Sequence, residues 1–205
     1  LGKRRNTSIF TKRLVGTKAR IYRIRVLRRK NARAAKLVST GAMPQASYGK
    51  EAGSLTPEAI NKMRSMAALA LGTNTRGQCT TTRIWLSMGI HNDPWVKCVV
   101  DQVKTWLWLY SCSLLPHNVL DPKLCKGAIL HRTWDLAKVR ILGSMEPFKK
   151  VIGPMGVTIA LLSSIGWTPV APNKWVDIEG GQWKYVGGNH TVSYTHLTLP
   201  TNREV

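Results

Sequence analysis

Basic side chains are the densest group of residues in this sequence that could do chemistry. Residues 20–38 read RIYRIRVLRRKNARAAKLV, and the chain carries 31 Lys and Arg against 10 Asp and Glu. Fourteen of the basic residues lie in residues 1–38, and no acid precedes Glu51. Such uncompensated charge repels itself unless a polyanion is present, so we favour binding to a phosphate backbone. A solvated face on a structural helix is the alternative.

We predict phosphate contacts from eight of these side chains. Because charges spread around a helix suit phosphates better than base edges, the contacts should be independent of sequence. The predicted partner is RNA or DNA, and neither a membrane nor a small-molecule substrate is indicated. The predicted contact residues are Arg20, Arg23, Arg25, Arg28, Arg29, Lys30, Arg33 and Lys36.

Acids, cysteines and histidines form no recognisable catalytic or metal-binding pattern. Two-metal phosphoryl transfer needs converging carboxylates, whereas only Asp177 and Glu179 lie close together, at the edge of a predicted hairpin. His117 and His131 bracket Cys125, but their spacing is not that of a zinc site. We therefore predict no catalytic residue, metal or cofactor within this sequence.

Apolar spacing predicts the elements that must position the basic side chains. Residues 20–38 have the pattern of an amphipathic helix with Ile24 and Leu27 on its buried face, and we expect the glycine-containing start to be partly disordered. Breakers at Gly41 and Pro44 predict a turn. A helix should then begin at the N-cap Thr56, with Pro57 at its first position, and end at the glycine Gly72.

Another predicted helix begins at Asp93 and Pro94 and carries a stripe of large apolar residues. Tryptophans can stack on bases, but a stripe at helical spacing is more often core, and we interpret it as core. The stripe contains Trp95, Val99, Val103, Trp106 and Tyr110. Residues 73–82 predict a loop, and residues 83–88 predict a strand or a helical turn. Later segments predict loop over 111–133 with at most one short helix near Lys123, a short helix over 134–141, and a buried helix over 157–165. Strands 174–178 and 182–186 should be joined by a Gly-Gly turn.

These patterns predict a mainly α fold, an irregular helical bundle of about five or six helices with a small C-terminal β-hairpin. With 205 residues, the chain could form one ordinary domain or two small ones. We divide it into a basic segment and helix (1–40), a glycine-punctuated connection and helical region (41–110), a loop and helical region (111–170), the hairpin (171–191) and a tail (192–205).

The tail has an unusual interpretation. Residues 192–201, VSYTHLTLPT, match residue for residue one translated frame of the adapter used in transposase-based sequencing libraries. We interpret 192–205 as adapter read-through and assign no function to Tyr194 or His196. A natural polar tail is the alternative.

Cysteine usage bears on where the protein works. None of the four cysteines forms a C-x-x-C pair, and the start of the sequence contains no secretory apolar segment. We expect reduced thiols and a nuclear or cytoplasmic protein that is not secreted.

Most of residues 1–186 resembles part of a non-LTR (LINE-type) retrotransposon polyprotein. The likeness is clearest at Thr40-Gly41-Ala42-Met43-Pro44 and Ser47-Tyr48-Gly49, followed by Leu55 and the helix around Arg64. Lys50-Glu51-Ala52-Gly53 stands where the family usually has Val-Trp-Gly. Further landmarks are Asp93-Pro94-Trp95, Gly153-Pro154, Ile165-Gly166-Trp167 and Trp175-Val176-Asp177.

The resemblance implies the thumb and connection region that follows the palm of a reverse transcriptase. Such a region grips the template–primer and contacts the rest of the polymerase. The Tyr-x-Asp-Asp box that holds the polymerase magnesium is absent, and by resemblance it would lie upstream of Leu1, so this fragment would not polymerise. The alternative is a freestanding basic nucleic-acid-binding module, associated with chromatin or ribosomes, which explains the charge but not the landmarks.

Overall fold

The computed structural model describes residues 8–53, 55–72, 77, 79–114 and 126–185. Within this part, the helices are α1 (Ser8–Lys30), α2 (Met43–Ser47), α3 (Lys50–Gly53), α4 (Pro57–Ala70), α5 (Thr80–Met88), α6 (Pro94–Leu114), α7 (Lys126–Leu142) and α8 (Gly153–Ser164). The strands are β1 (Thr168–Ala171), β2 (Lys174–Val176) and β3 (Gln182–Lys184). The mainly α class is confirmed, with more helices than the five or six expected.

α1 is longer at its start, and shorter at its end, than the predicted helix over 20–38. Glycine in a helix is less favourable than alanine by about 1 kcal/mol, yet Gly16 lies inside α1. Burial outweighs that penalty, because Thr17, Ile21 and Ile24 form an inward stripe that packs towards α4. Leu27, expected on the buried face, is instead 50% exposed.

The connection predicted as a turn around Gly41 and Pro44 is helical, so that prediction was wrong. A 3-10 turn (Ala32–Ala35) begins at Asn31, whose side chain accepts a hydrogen bond from the Arg33 N–H at 2.9 Å. A π-helical turn (Val38–Ala42) leads into α2, where proline is tolerated because first-turn N–H groups need no helical partner. Gly49, with φ of 77°, follows α2.

The predicted starts of α4 and α6 are confirmed. Thr56 accepts a hydrogen bond from the Ala59 N–H at 3.3 Å, and Pro57 is the first residue of α4. Asp93 precedes α6 and accepts a hydrogen bond from the Trp95 N–H at 2.9 Å. Residues 80–88, of which the first three were expected to be loop, form α5.

Asp93 also holds three helices together from a buried position. Its side chain is 1% exposed. The carboxylate accepts hydrogen bonds from Nε and Nη2 of Arg64, on α4, at 2.9–3.2 Å. The indole of Trp85, from α5, donates to the same carboxylate at 3.1 Å. Arg64 Nη2 also donates to Thr81 at 2.7 Å. The relative placement of α4, α5 and the start of α6 therefore depends on one carboxylate.

The tryptophan stripe of α6 lies in the core, as interpreted. Trp106 packs on Trp134 of α7, with ring centroids 5.2 Å apart, and donates its indole N–H to the Pro172 carbonyl at 2.7 Å. α6 and α7 show that the loop expected over 111–133 was wrong for residues 111–114 and 126–133. Residues 115–125 lie outside the described residues. α8 is buried along most of its length, as its apolar composition predicts.

The predicted hairpin exists, and a third strand accompanies it. The antiparallel order is β1-β2-β3, with Trp175 opposite Trp183 across β2 and β3. Trp183 stacks on Trp167 with centroids 5.8 Å apart, so the sheet is attached to the helices through aromatic contacts. Residues 1–7 and the adapter-like tail lie outside the described residues.

Replacing Asp93 with alanine should destabilise the protein by about 3 kcal/mol, because it leaves the Arg64 guanidinium without its buried partner. The Arg64 side chain is 21% exposed, so we expect a loss of stability at the lower end of the range for breaking a buried ion pair. Urea denaturation measures the free energy of unfolding. Asp135→Ala is the control: its carboxylate is 66% exposed and 3.7 Å from Lys138, so its loss should change stability by less than about 1 kcal/mol. Equal losses in the two variants would contradict this account.

Candidate nucleic-acid interface

The eight predicted phosphate-contact residues lie on α1 and just after it. Their environments fall into two groups, since Arg25 and Arg28 are half-buried and the other six are exposed. Because α1 buries an apolar stripe, the basic side chains on its remaining surface stay in water. The exposed members are Arg20, Arg23, Arg29, Lys30, Arg33 and Lys36.

Two arginines of α1 attach the helix to the segment that follows it. Arg13 donates from Nη1 to the Tyr48 carbonyl at 2.6 Å and lies over the Tyr48 ring, 5.0 Å from its centroid. Arg20 donates from Nη1 to the Gly41 carbonyl at 3.3 Å. Arg20, predicted as a phosphate contact, therefore also holds α1 against the π-helical turn. Arg13 was not among the predicted contacts, and no local sequence signal marks it.

A basic cleft forms where the C-terminal end of α1 meets the ends of α4 and α5. Its volume is about 260 Å³, and three of the predicted contacts, Arg25, Arg28 and Arg29, line it. Arg83 of α5 lines it as well, although sequence reasoning missed this residue. The other described lining residues are Ala32, Ala70 and Gly72, so the cleft combines four arginine residues with three small residues.

Arg83 reaches the cleft because Gly72 has no side chain. A Cβ built on Gly72 would lie 1.2 Å from Nη2 of Arg83 and 2.2 Å from Cζ. The sequence predicted Gly72 as a helix-ending glycine, but Gly72 is not among the glycines with positive φ. The glycine is needed here for the close approach of a guanidinium to the backbone.

A wider depression near α3 has mixed charge. It measures about 460 Å³ and is lined in part by Tyr48, Glu51 and Lys97. Lys50 and Asp101 also line it and form an ion pair at 2.6 Å, in which Lys50 is 7% exposed. With carboxylates among its lining, this depression suits a polyanion less well than the basic cleft.

Two side chains of types that can support catalysis, Asp177 and Cys98, occupy structural positions. Asp177 accepts hydrogen bonds from the Glu179 and Gly181 N–H groups at 3.0 and 2.7 Å, and from the Trp183 indole at 2.8 Å. Its carboxylate thereby closes the hairpin turn. Burial raises the pKa of the Cys98 thiol to about 11, so this cysteine is a poor nucleophile at neutral pH.

Among the described residues, no group of three or more His, Cys, Asp or Glu side chains could hold a metal ion. His117 and Cys125, two members of the pattern considered for zinc, lie outside that part of the chain. No described helix combines the length and apolar character needed to cross a membrane.

Comparison with known proteins adds no further assignment. No protein family, curated protein or solved structure matches this chain. The resemblance to LINE-type polyproteins therefore rests on the sequence landmarks alone.

Acidification should loosen the hairpin at Asp177. The Trp183 indole and the backbone N–H groups of Gly181 and Glu179 lower the pKa of Asp177 below its usual value. A lowered pKa means that the carboxylate stabilises the turn at neutral pH, and that this contribution is lost as the pH falls through the pKa of the folded form. In an NMR titration, the Asp177 carboxyl and the Gly181 amide should report the same low pKa. An unshifted Asp177, with no coupled change at Gly181, would refute the turn-closing role.

Proposed function

We propose that this protein binds the sugar–phosphate backbone of RNA or DNA without sequence preference. In the fuller form of the proposal, it is the thumb and connection region of a LINE-type reverse transcriptase and grips the template–primer. The palm of that polymerase would carry the magnesium and the chemistry. The landmarks given in the sequence analysis support the fuller form.

The observation that carries the binding proposal is the run of exposed cations along α1 and the residues after it. Arg20, Arg23, Arg29, Lys30, Arg33 and Lys36 are all exposed. Their side chains lie on a helix that is fixed by Ile21 and Ile24, both at most 3% exposed. A fixed helix with mobile cationic side chains can follow a phosphate backbone and release its condensed counterions.

The absence of an assembled catalytic group among the described residues is consistent with a gripping role but does not by itself favour it. Positive charge favours it more directly, because each phosphate contact adds affinity that depends on salt and not on base sequence. A freestanding basic module would use the same surface, so the charge alone does not separate the two forms of the proposal.

Removing four exposed cations from this surface should weaken binding and reduce its salt dependence. For Arg23, Lys30, Arg33 and Lys36 changed together to alanine, the slope of log affinity against log salt on duplex DNA should become shallower by about 3 to 4. Fluorescence anisotropy across a salt series measures this slope. A control with equal charge loss changes Arg132, Arg140, Lys150 and Lys184, which are exposed on other elements.

The control should retain most of the affinity and nearly all of the slope. Equal weakening in both variants would mean that only net charge matters and would remove the case for this surface. Affinity that stays constant when salt is raised severalfold would contradict backbone binding altogether.

The transcript distinguishes the two forms of the proposal. If the protein belongs to a LINE-type polymerase, the reading frame should continue upstream of Leu1 into a Tyr-x-Asp-Asp box. Sequencing the full transcript tests this. An initiator Met directly before Leu1, with a stop codon soon after Thr191, would instead support the freestanding module.

A further inference from the structure

We infer that the basic cleft is a site for a single phosphate dianion, the terminal phosphomonoester of a nucleic-acid strand. This inference rests on the proposed function and adds to it: the exposed cations of α1 would follow the backbone, while the cleft would hold the strand end. The cleft lies between the C-terminal end of α1 and the ends of α4 and α5, and its guanidinium groups belong to Arg25, Arg28, Arg29 and Arg83.

The cleft has room for a phosphate group and is small for a larger ligand. Its volume of about 260 Å³ lies below the range of about 300–1,000 Å³ that is usual for small-molecule pockets. The small residues Ala32, Ala70 and Gly72 leave room for the guanidinium groups themselves. The described lining contains no aromatic ring on which a base could stack.

The charge in the cleft favours a dianion over an internal phosphodiester. A phosphomonoester carries about −1.5 to −2 charges near neutral pH, whereas each phosphodiester carries one. Guanidinium groups bind phosphate oxygens through two parallel hydrogen bonds, and several can share the oxygens of one terminal phosphate. Four such groups around one small cavity therefore discriminate in favour of the strand end.

The cleft is also partly preorganised. Arg25, Arg28 and Arg83 are half-buried, so their side chains lose less freedom on binding than fully exposed ones. Arg83 lies so close to the Gly72 backbone that any Cβ at residue 72 must displace it. The position of the Arg83 guanidinium at the cleft therefore depends on Gly72, an uncharged residue.

Gly72→Ala is the sharpest test, because it moves Arg83 without changing the net charge. The atoms that a Cβ would meet belong to the far end of a flexible side chain, so the fold should accommodate the change. Arg83→Ala removes the same group directly. Arg132→Ala, exposed on α7, is the charge-matched control for Arg83→Ala. Circular dichroism and thermal melting of each variant confirm folding.

The probes are three versions of one internally labelled single-stranded oligonucleotide, with a 5′-phosphate, a 3′-phosphate, or hydroxyls at both ends. A strand with one phosphorylated end should bind at least about tenfold more tightly than the strand with hydroxyls at both ends. A tenfold gain in affinity corresponds to about one hydrogen bond between charged groups. The 5′ and 3′ arms identify which end is held. The gain should be lost in Gly72→Ala and Arg83→Ala and kept in Arg132→Ala.

Two results would overturn the inference. Equal affinity for all three strands would exclude recognition of a terminal phosphate, while leaving backbone binding intact. A gain that persists in both Gly72→Ala and Arg83→Ala would place the recognition elsewhere. Failure of every strand to bind would instead remove the proposed function, so the two failures are distinguishable.

Discussion

The geometry of the basic cleft depends on one buried carboxylate, that of Asp93. It receives the Arg64 guanidinium and the Trp85 indole while it caps α6, so it sets how α4 and α5 meet. Gly72 follows α4 and Arg83 lies on α5, so their separation follows from that meeting. A buried ion pair is weak support for stability in general, but once it exists, the loss of one partner leaves a charge without compensation.

α1 combines attachment and charge on one helix. Its buried stripe at Thr17, Ile21 and Ile24 supplies the contact with the core, so most of the cations on its other faces need not be desolvated when the protein folds. Arg25 and Arg28 are half-buried, and Arg13 and Arg20 also hold α1 to the segment that follows it. Hydrophobic burial stabilises α1, and the helix therefore forms despite the electrostatic repulsion among the remaining cations.

Helix caps and apolar spacing in the sequence predicted the elements that depend on neighbouring residues. Caps at Thr56 and Asp93 and the apolar stripe of α6 were sufficient for two helices and part of the core. The helical connection over residues 39–47 was missed, because burial of Val38 and Met43 outweighed the breaker signals of Gly41 and Pro44. Arg83 was missed since its place in the cleft depends on the packing of α5 against α4, a tertiary contact without a local pattern.

The contact between Gly72 and Arg83 has an evolutionary consequence. Any side chain at residue 72 displaces a cation, so the two positions are constrained together although neither change need unfold the protein. Divergent copies of this sequence should therefore drift at residue 72 mainly where Arg83 has already been replaced. Sequences that keep the arginine should keep the glycine, and joint variation at the two positions would reflect the steric contact between them.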